Sequence, residues 1–126
     1  MSTTTTIFGN TSQEVTRVGL GGEGILRTHG RTDQARKVIQ EALDQGITYF
    51  DSARVYADSE LYYGSVWPDI PDTRTRIFQA SKSASRDKKR AIKDLDQTLD
   101  RMGISYLDLW QIHDVRTDHD LKAISD

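Results

Sequence analysis

The stretch GITYFDSARVY, residues 46–56, indicates the fold of this chain more directly than any other segment. It begins with a glycine that can end a helix, continues as a short apolar run, and reaches Asp51 five residues before Tyr56. β-branched and aromatic residues between a glycine and a polar end are typical of a short buried strand. The stretch therefore predicts a helix end, a strand and a polar loop in succession.

Strand-like runs that end at or beside a glycine or an ionisable side chain recur at a nearly constant interval. These runs lie at residues 18–21, 48–50, 77–81 and 107–112. They end at or beside four residues spaced by 29, 31 and 31 positions: Gly22, Asp51, Lys82 and His113. That interval matches a strand–loop–helix–loop unit of a parallel α/β protein. Because the C-terminal ends of such strands open onto one face, we expect the carboxylate, ammonium and imidazole to gather there with Tyr56.

Two apolar stripes with helical spacing predict the longer helices between these strands. The first predicts a helix from Thr32 or Asp33 to the residue before Gly46, with the apolar members Ala35, Val38, Ile39, Ala42 and Leu43. The second predicts a helix over about residues 85–102 with Gly103 as its left-handed end, and its apolar members are Ala91, Ile92, Leu95, Leu99 and Met102. Shorter helices are predicted from Ser59 and from about Asp118.

Composition narrows the class of protein. The 126 residues carry 17 basic and 19 acidic side chains, interspersed, for a net charge of −2, which indicates neither nucleic-acid nor membrane binding. The absence of cysteine excludes disulfides and thiolate chemistry. The polar, threonine-rich start is no signal peptide, and no apolar run approaches the roughly 20 residues of a membrane-spanning helix. We therefore expect a cytoplasmic protein.

Three segments in order and at matching spacing carry a family resemblance. They are residues 46–56 with Ser59 and Glu60, Lys82 at the end of a strand-like run, and YLDLWQIH at residues 106–113. The chain from about Val15 onward resembles the aldo-keto reductases, which are NAD(P)H-dependent carbonyl reductases with a (β/α)8 TIM-barrel fold. The resemblance implies that the catalytic tetrad falls on Asp51, Tyr56, Lys82 and His113, and that a small carbonyl compound is the substrate.

The length indicates about half of such a barrel. A complete (β/α)8 barrel needs roughly 250 residues, so 126 residues at about 31 per unit correspond to the first four βα units. We expect residues 1–126 to be the N-terminal portion of an aldo-keto reductase barrel, with residues 1–13 as a loose lead-in or a short hairpin across the barrel floor. A complementary half-barrel or self-association would then cover the open side.

The resemblance also assigns roles within the expected site. Tyr56 would protonate the carbonyl oxygen, Lys82 would stabilise the resulting tyrosinate, Asp51 would hold Lys82, and His113 would orient the carbonyl. Backbone contacts of Gly22 and Glu23, together with Asp51, are candidates for cofactor binding. The family's main NADPH or NADH binding loops come from later strands, outside this sequence. A chain without them should bind the cofactor weakly, so a non-catalytic barrel fragment acting as a subunit or interaction module is the alternative.

Other interpretations of the same residues exist. Individually, Asp51 could cap a turn, Tyr56 could pack in a loop, Lys82 could be solvated and His113 could be structural. The pattern of Gly19, Gly21 and Gly24 matches the glycine fingerprint of a Rossmann fold, but no helix opens at the third glycine and no acidic residue closes the next strand at the required distance. No histidine, carboxylate or cysteine spacing indicates a metal site.

Overall fold

A β-hairpin begins the part of the chain that the computed structural model describes, which is residues 3–125. Strand β1 (Thr5–Ile7) pairs antiparallel with strand β2 (Glu14–Thr16). Much of the expected lead-in is therefore a hairpin rather than a loose segment, because its threonine-rich run has the β-branched side chains that strands favour. Of the lead-in, Met1 and Ser2 lie outside the described residues, as does Asp126 at the other end.

Four parallel strands follow and form one sheet in which chain order and spatial order are the same. They are β3 (Gly19–Leu20), β4 (Tyr49–Asp51), β5 (Phe78–Ser83) and β6 (Leu109–Ile112). The ladder pairs Asp51 with Ala80 and Lys82 with Gln111. This α/β arrangement of consecutive parallel units is the one that the constant interval between the strand ends predicts.

α-Helices occupy the connections between these strands, and one more follows the last strand. Within residues 3–125 they are α1 (Thr32–Asp44), α2 (Ser59–Gly64), α3 (Pro71–Arg74), α4 (Lys88–Met102) and α5 (Asp118–Ser125). The sequence explains where helix α4 begins and where it ends. The side chain of Asp87 accepts a hydrogen bond from Arg90 N at 2.9 Å at the start, and Gly103 takes a left-handed φ of 62° at the end.

The larger hydrophobic core lies between the sheet and helices α1 and α2. Its centre is aromatic, since the Tyr63 and Trp67 rings stack at 5.6 Å and Phe50 meets Trp67 edge-on at 5.2 Å. Trp67 is fully buried, and its indole nitrogen donates to Gln79 Oε1 at 2.9 Å, so the polar atom in this core is satisfied. Successive side chains of a strand face opposite sides, so Phe50 faces this core while its neighbours Tyr49 and Asp51 face the other side.

That other face of the sheet would be the inside of a barrel, and the hairpin covers its lower end. Phe8, in the turn of the hairpin, packs on Phe78 at 4.7 Å, and Phe78 stacks on Tyr49 at 5.2 Å. Thr16 and Thr48 exchange two hydrogen bonds of 3.0 Å, each hydroxyl accepting from the other residue's backbone N–H. The hairpin is thereby attached to the start of β4, and the upper end of the inner face stays open.

Three of the differences from the predictions have a structural explanation. Strand β5 continues to Ser83, so Lys82 lies within the strand rather than after it. Strand β6 begins at Leu109 instead of residue 107, because the Asp108 carboxylate accepts from Gln79 N and binds Arg74 at 2.9 Å. Ile92 of the predicted buried stripe is 53% exposed, since it faces away from α2 and β5, the elements on which α4 packs.

Gly64, the last residue of α2, is expected to be intolerant of any side chain. A Cβ at this position would lie 1.9 Å from the backbone oxygen of Arg101 in α4, so Gly64→Ala must push the two helices apart. Overpacking of this kind costs about 1–3 kcal/mol or more, and we expect a lower midpoint in urea unfolding or no folded protein. Gly21→Ala is the matched control, because a Cβ there meets nothing within 4 Å. Equal stability of the two variants would contradict this packing.

Candidate active site

An ion pair at the C-terminal edge of the sheet forms the centre of the candidate site. Lys82 Nζ lies 2.5 Å from Asp51 Oδ2, and it donates a second hydrogen bond to Ser52 O at 2.8 Å. The side chains are 12% and 24% exposed, so water screens their attraction only in part. The structure therefore joins the residues at the ends of β4 and β5 as the sequence predicts, and it leaves one ammonium N–H for another acceptor.

Tyr56 and His113 lie against this ion pair. Lys82 Nζ is 4.8 Å from the centroid of the Tyr56 ring, within the range of a cation–π contact. The rings of Tyr56 and His113 meet at right angles with their centroids 5.6 Å apart. Asp51, Tyr56, Lys82 and His113, which lie in three different βα units, thus form one contiguous cluster on the rim of the sheet.

The loop that carries Tyr56 is anchored as an extension of the sheet. Ser52 N donates to Ala80 O at 3.1 Å, and Arg54 N donates to Lys82 O at 3.0 Å, so the chain beyond β4 still follows β5. It then turns sharply, and Ala57 adopts a left-handed φ of 49° directly after Tyr56. Such a conformation costs a non-glycine residue about 1–2 kcal/mol and is retained only where surrounding contacts fix the loop.

His113 is held close to Lys82 as a neutral base. Its backbone N–H donates to Ser83 O at 2.8 Å, which continues the β5–β6 ladder. Burial of the ring, and then the positive charge of Lys82, lower the pKa of His113 below its usual value. Its Nδ1 is buried and has no hydrogen-bond partner among residues 3–125, so Nε2 is the nitrogen through which a neutral imidazole would meet a ligand.

The two loop residues proposed for cofactor contact have different surroundings. Gly22 is buried against the end of β4, where a Cβ would lie 2.6 Å from Ser59 Oγ and 2.9 Å from Asp51 O. Glu23 is 57% exposed and pairs with Arg27 at 3.0 Å. Gly22 therefore permits the close approach of the β3–α1 loop to the rim, whereas the carboxylate of Glu23 points to Arg27 rather than to the ion pair.

Two side chains near the cluster were not predicted. Gln111 is the ladder partner of Lys82, and its buried Oε1 lacks a hydrogen-bond partner in the described part of the chain. Its spacing of two from His113 in a strand is a signal that could have placed it on the same face. Arg27 lies with its guanidinium carbon 5.1 Å from the Tyr56 ring centroid, a contact that no local pattern indicates.

A cleft of about 550 Å³ opens along the inner face beside the ion pair. Its upper wall contains Asp51, Lys82 and Gln111, and the backbone of Gly19 and Gly21 lines one side. Aromatic residues of the hairpin and of β4 form its lower end. The cleft thus has an apolar base and a charged rim, as many small-molecule sites do.

A second charged group lies behind the rim, on the helix side of the sheet. The fully buried carboxylate of Glu60 accepts from Ser81 Oγ at 2.7 Å and from Thr98 Oγ1 at 2.8 Å, and it lies 3.0 Å from Arg101 Nε. Arg54 approaches the same carboxylate at 3.5 Å. This network joins α2, β5 and α4 directly behind Lys82, and each partner offsets part of the cost of burying the charge.

Residues 3–125 contain no group of three or more histidines, cysteines or carboxylates placed to hold a metal ion. Within the same residues, the helices are too short or too polar to span a bilayer.

Comparisons with known proteins agree on one family. The profile of the Aldo/keto reductase family matches residues 17–126. A 6-dehydroglucose reductase of Novosphingobium aromaticivorans is 34% identical over 106 residues, which cover 70% of this chain and 34% of that protein. Aldo-keto reductase YhdN of Bacillus subtilis is 31% identical over 123 residues, which cover 86% of this chain and 37% of YhdN.

The fold also matches solved structures. The crystal structure of the thermostable aldo-keto reductase Tm1743, determined with the inhibitor epalrestat, superimposes with a TM-score of 0.79 at 25% sequence identity. The match covers 97% of this chain and 48% of that chain. The chain therefore spans about half the length of that structure and about a third of the length of the two curated relatives.

The lowered pKa of His113 predicts a pH dependence of stability. As pH falls below about 6.5, the unfolded chain takes up a proton at this histidine before the folded protein does. The stability that neutral His113 contributes is thus present above that pH and is lost as pH falls through the lower pKa of the folded state. Between pH 7 and 5, the unfolding midpoint of the wild type should fall more than that of His113→Gln, whereas the exposed His119→Gln should follow the wild type.

Removal of the buried charge behind the rim is expected to be costly. Glu60→Gln keeps the shape of the side chain, but it leaves Arg101 without its carboxylate and Arg54 with only the Asp94 carboxylate at 3.8 Å. We expect a loss of at least about 2 kcal/mol in the free energy of unfolding, measured with urea. Asp96→Asn, an exposed change on α4, is the control for loss of a negative charge. A Glu60→Gln protein as stable as this control would show that the network contributes little.

Proposed function

The chain belongs to the Aldo/keto reductase family, and from this we propose that it carries the catalytic rim of an enzyme that reduces aldehydes or ketones to alcohols. The observation that supports this most strongly is the cluster at the ends of β4, β5 and β6. A carboxylate and an ammonium form an ion pair on the wall of an open cleft, and a phenol and an imidazole continue the cluster, each in contact with the preceding group. Carbonyl reduction needs a proton donor for the carbonyl oxygen and a group that orients that oxygen.

Tyr56 is the proposed proton donor. NAD(P)H supplies the hydride to the carbonyl carbon when it is bound. The phenolic proton of Tyr56 goes to the carbonyl oxygen as the C=O π bond breaks, which leaves a phenolate at Tyr56. The ammonium of Lys82, 4.8 Å from the ring centroid, stabilises that negative charge, and Asp51 holds Lys82 in place.

His113 is the proposed orienting group. A neutral imidazole can donate one hydrogen bond to the carbonyl oxygen without competing with Tyr56 for the proton transfer. The lowered pKa of His113 supports this role, because the ring stays neutral at physiological pH. Its perpendicular contact with the Tyr56 ring would place the hydrogen bond and the proton donor on the same oxygen.

The residues present fit one end of a nicotinamide cofactor. The buried, unpaired Oε1 of Gln111 and the Asp51 carboxylate are acceptors on the cleft wall, where an amide group could donate to them. We propose Gly22, Glu23 and Asp51 as contacts of the cofactor, with NADPH or NADH as the possible donors. The phosphate-binding loops of the family belong to later units of the barrel, so this chain would hold only part of the cofactor.

The same proposal covers the organisation of the protein. Residues 1–126 would be the N-terminal portion of the barrel, comprising its first four βα units. The other side of the cleft would be closed by a complementary half-barrel, and the substrate would be a small carbonyl compound. We place the protein in the cytoplasm, where reduced nicotinamide cofactors are available.

Loss of one hydroxyl tests the proposed chemistry. In a complete barrel containing this chain, Tyr56→Phe should lower kcat by about 10²-fold or more, because no other group replaces the proton donor. The dissociation constant of NADPH, measured by fluorescence titration, should stay near that of the wild type. Tyr106→Phe is the matched control, since it removes a phenol hydroxyl on an exposed residue at the opposite end of β6. Unchanged turnover of Tyr56→Phe would remove Tyr56 from the mechanism.

A second candidate function is a non-catalytic barrel fragment that acts as a subunit or interaction module. Strands β3 and β6 each have one neighbour in the sheet of residues 3–125. Apolar side chains near β6 are also exposed, with Ile112 at 50% and Leu121 at 55%. Unpaired strand edges and exposed apolar groups favour association with another chain.

The isolated 126-residue chain discriminates between the two candidates. We expect it to self-associate in sedimentation velocity and to show negligible NADPH-dependent aldehyde reduction, because it holds only part of the proposed cofactor site. Addition of the four remaining βα units as a second chain should restore turnover if the protein is an enzyme. Turnover by the purified 126-residue monomer would contradict the expected dependence on a second half, and no turnover in the reconstituted barrel would favour the interaction module.

A further inference from the structure

Arg86 makes an unusual set of hydrogen bonds in the loop between β5 and α4. Its Nη1 donates to His113 O at 3.0 Å and to Ala84 O at 3.0 Å, and its Nη2 donates to Asp114 O at 2.9 Å. Its Nε donates to Asp120 Oδ1 at 3.2 Å. The Arg86 side chain is 24% exposed, and its N–H groups donate to its own loop and to the segment that follows β6.

The backbone at His113 needs such a partner. His113 N donates to Ser83 O in the last bond of the ladder, and strand β6 ends just before this residue. Asp114 then adopts a left-handed φ of 64°, which costs a non-glycine residue about 1–2 kcal/mol. The carbonyls on both sides of this turn, His113 O and Asp114 O, are the two that the guanidinium of Arg86 binds with a fixed, planar fork.

Asp120 binds Arg86 from the other side and belongs to the start of helix α5. Its carboxylate accepts from Arg116 N at 3.0 Å and from Thr117 N at 3.1 Å, while Thr117 Oγ1 accepts from Asp120 N at 3.1 Å. This reciprocal arrangement is a capping box at the start of α5. The hydrogen bonds to the carboxylate from Arg116 N, from the Thr117 hydroxyl at 3.0 Å, from Arg86 and from Thr117 N lower the pKa of Asp120 to about 2, so its negative charge persists in mildly acidic solution.

We propose that Arg86 is a positioning residue that sets where the His113 imidazole lies relative to Tyr56 and Lys82. Within residues 3–125 its hydrogen bonds involve neither of these side chains, so it acts through the backbone of the His113–Asp114 turn. An effect of Arg86 on catalysis rests on the proposed function. Its effect on the position of the His113 ring does not.

A change in the position of the His113 ring should change its pKa. Burial of the ring and the positive charge of Lys82 lower its pKa most, the carboxylates of Asp114 and Asp51 act in the opposite direction, and Arg27 lowers it further. If the turn loosens, the ring gains water and moves away from Lys82. Its pKa should then rise toward the usual value of about 6.5.

The test compares Arg86→Met and Arg86→Lys in the 126-residue chain. The pKa of His113 is measured from the pH dependence of hydrogen–deuterium exchange at its imidazole Cε1, followed by peptide mass spectrometry. Arg86→Met should raise the pKa, and Arg86→Lys should raise it by less, because an ammonium keeps the charge but cannot bind both carbonyls with one planar group. Arg90→Met, an exposed arginine on α4, should leave the pKa unchanged.

Asp120→Asn separates positioning from support of helix α5. It weakens the link to α5 but leaves both hydrogen bonds from Arg86 to the His113–Asp114 turn, so the pKa of His113 should stay at the wild-type value. An unchanged pKa in Arg86→Met, with folding verified by circular dichroism, would overturn the proposal. If Arg86→Met does not fold, an unchanged pKa in Arg86→Lys would overturn it. A rise in the pKa of His113 in Asp120→Asn as large as the rise in Arg86→Lys would also overturn the proposal. Since no turnover is measured, failure here is distinguishable from failure of the proposed reductase activity.

Discussion

The ion pair between Lys82 and Asp51 is the interaction on which the rest of the site depends. A lysine that is 12% exposed on the inner face of a sheet must have a partner, because burying an unpaired charge costs several kcal/mol. The register places Asp51 beside Ala80, two residues before Lys82 on the same face, so the long side chain of Lys82 reaches back to the carboxylate and to Ser52 O. The ammonium is thereby fixed beneath the ring of Tyr56.

Strand β5 serves two charged sites at once because its side chains alternate between faces. Lys82 faces the cleft, and the neighbouring Ser81 faces the helices, where it donates to the buried carboxylate of Glu60. Arg54 connects the two sites, since its backbone N–H donates to Lys82 O while its side chain approaches Glu60. A shift of β5 by one residue would exchange the two faces and disrupt both sites, so the Glu60 network also stabilises the register that the rim requires.

The sequence allowed the rim to be predicted because each apolar run stops at a polar side chain and parallel strands bring such ends together. Asp51, Lys82 and His113 were placed from this regularity, and Tyr56 from its distance to Asp51. The late start of β6 could not be predicted, because it depends on a contact of Asp108 with Gln79, which lies 29 residues away. The exposure of Ile92 likewise depends on which elements pack against α4, and helical spacing alone does not specify them.

The loops of the site show a second level of organisation that sequence patterns do not reveal. Ala57 and Asp114, which follow Tyr56 and His113, both adopt left-handed conformations without being glycine. In each case an arginine from a β5–α4 segment binds the carbonyl of the left-handed residue, Arg101 at 3.0 Å and Arg86 at 2.9 Å. Each left-handed residue costs about 1–2 kcal/mol, and a hydrogen bond from a charged donor contributes a similar amount, so these contacts can hold both turns. The positions of the phenol and the imidazole therefore depend on the unit between them in the chain, which also supplies Lys82.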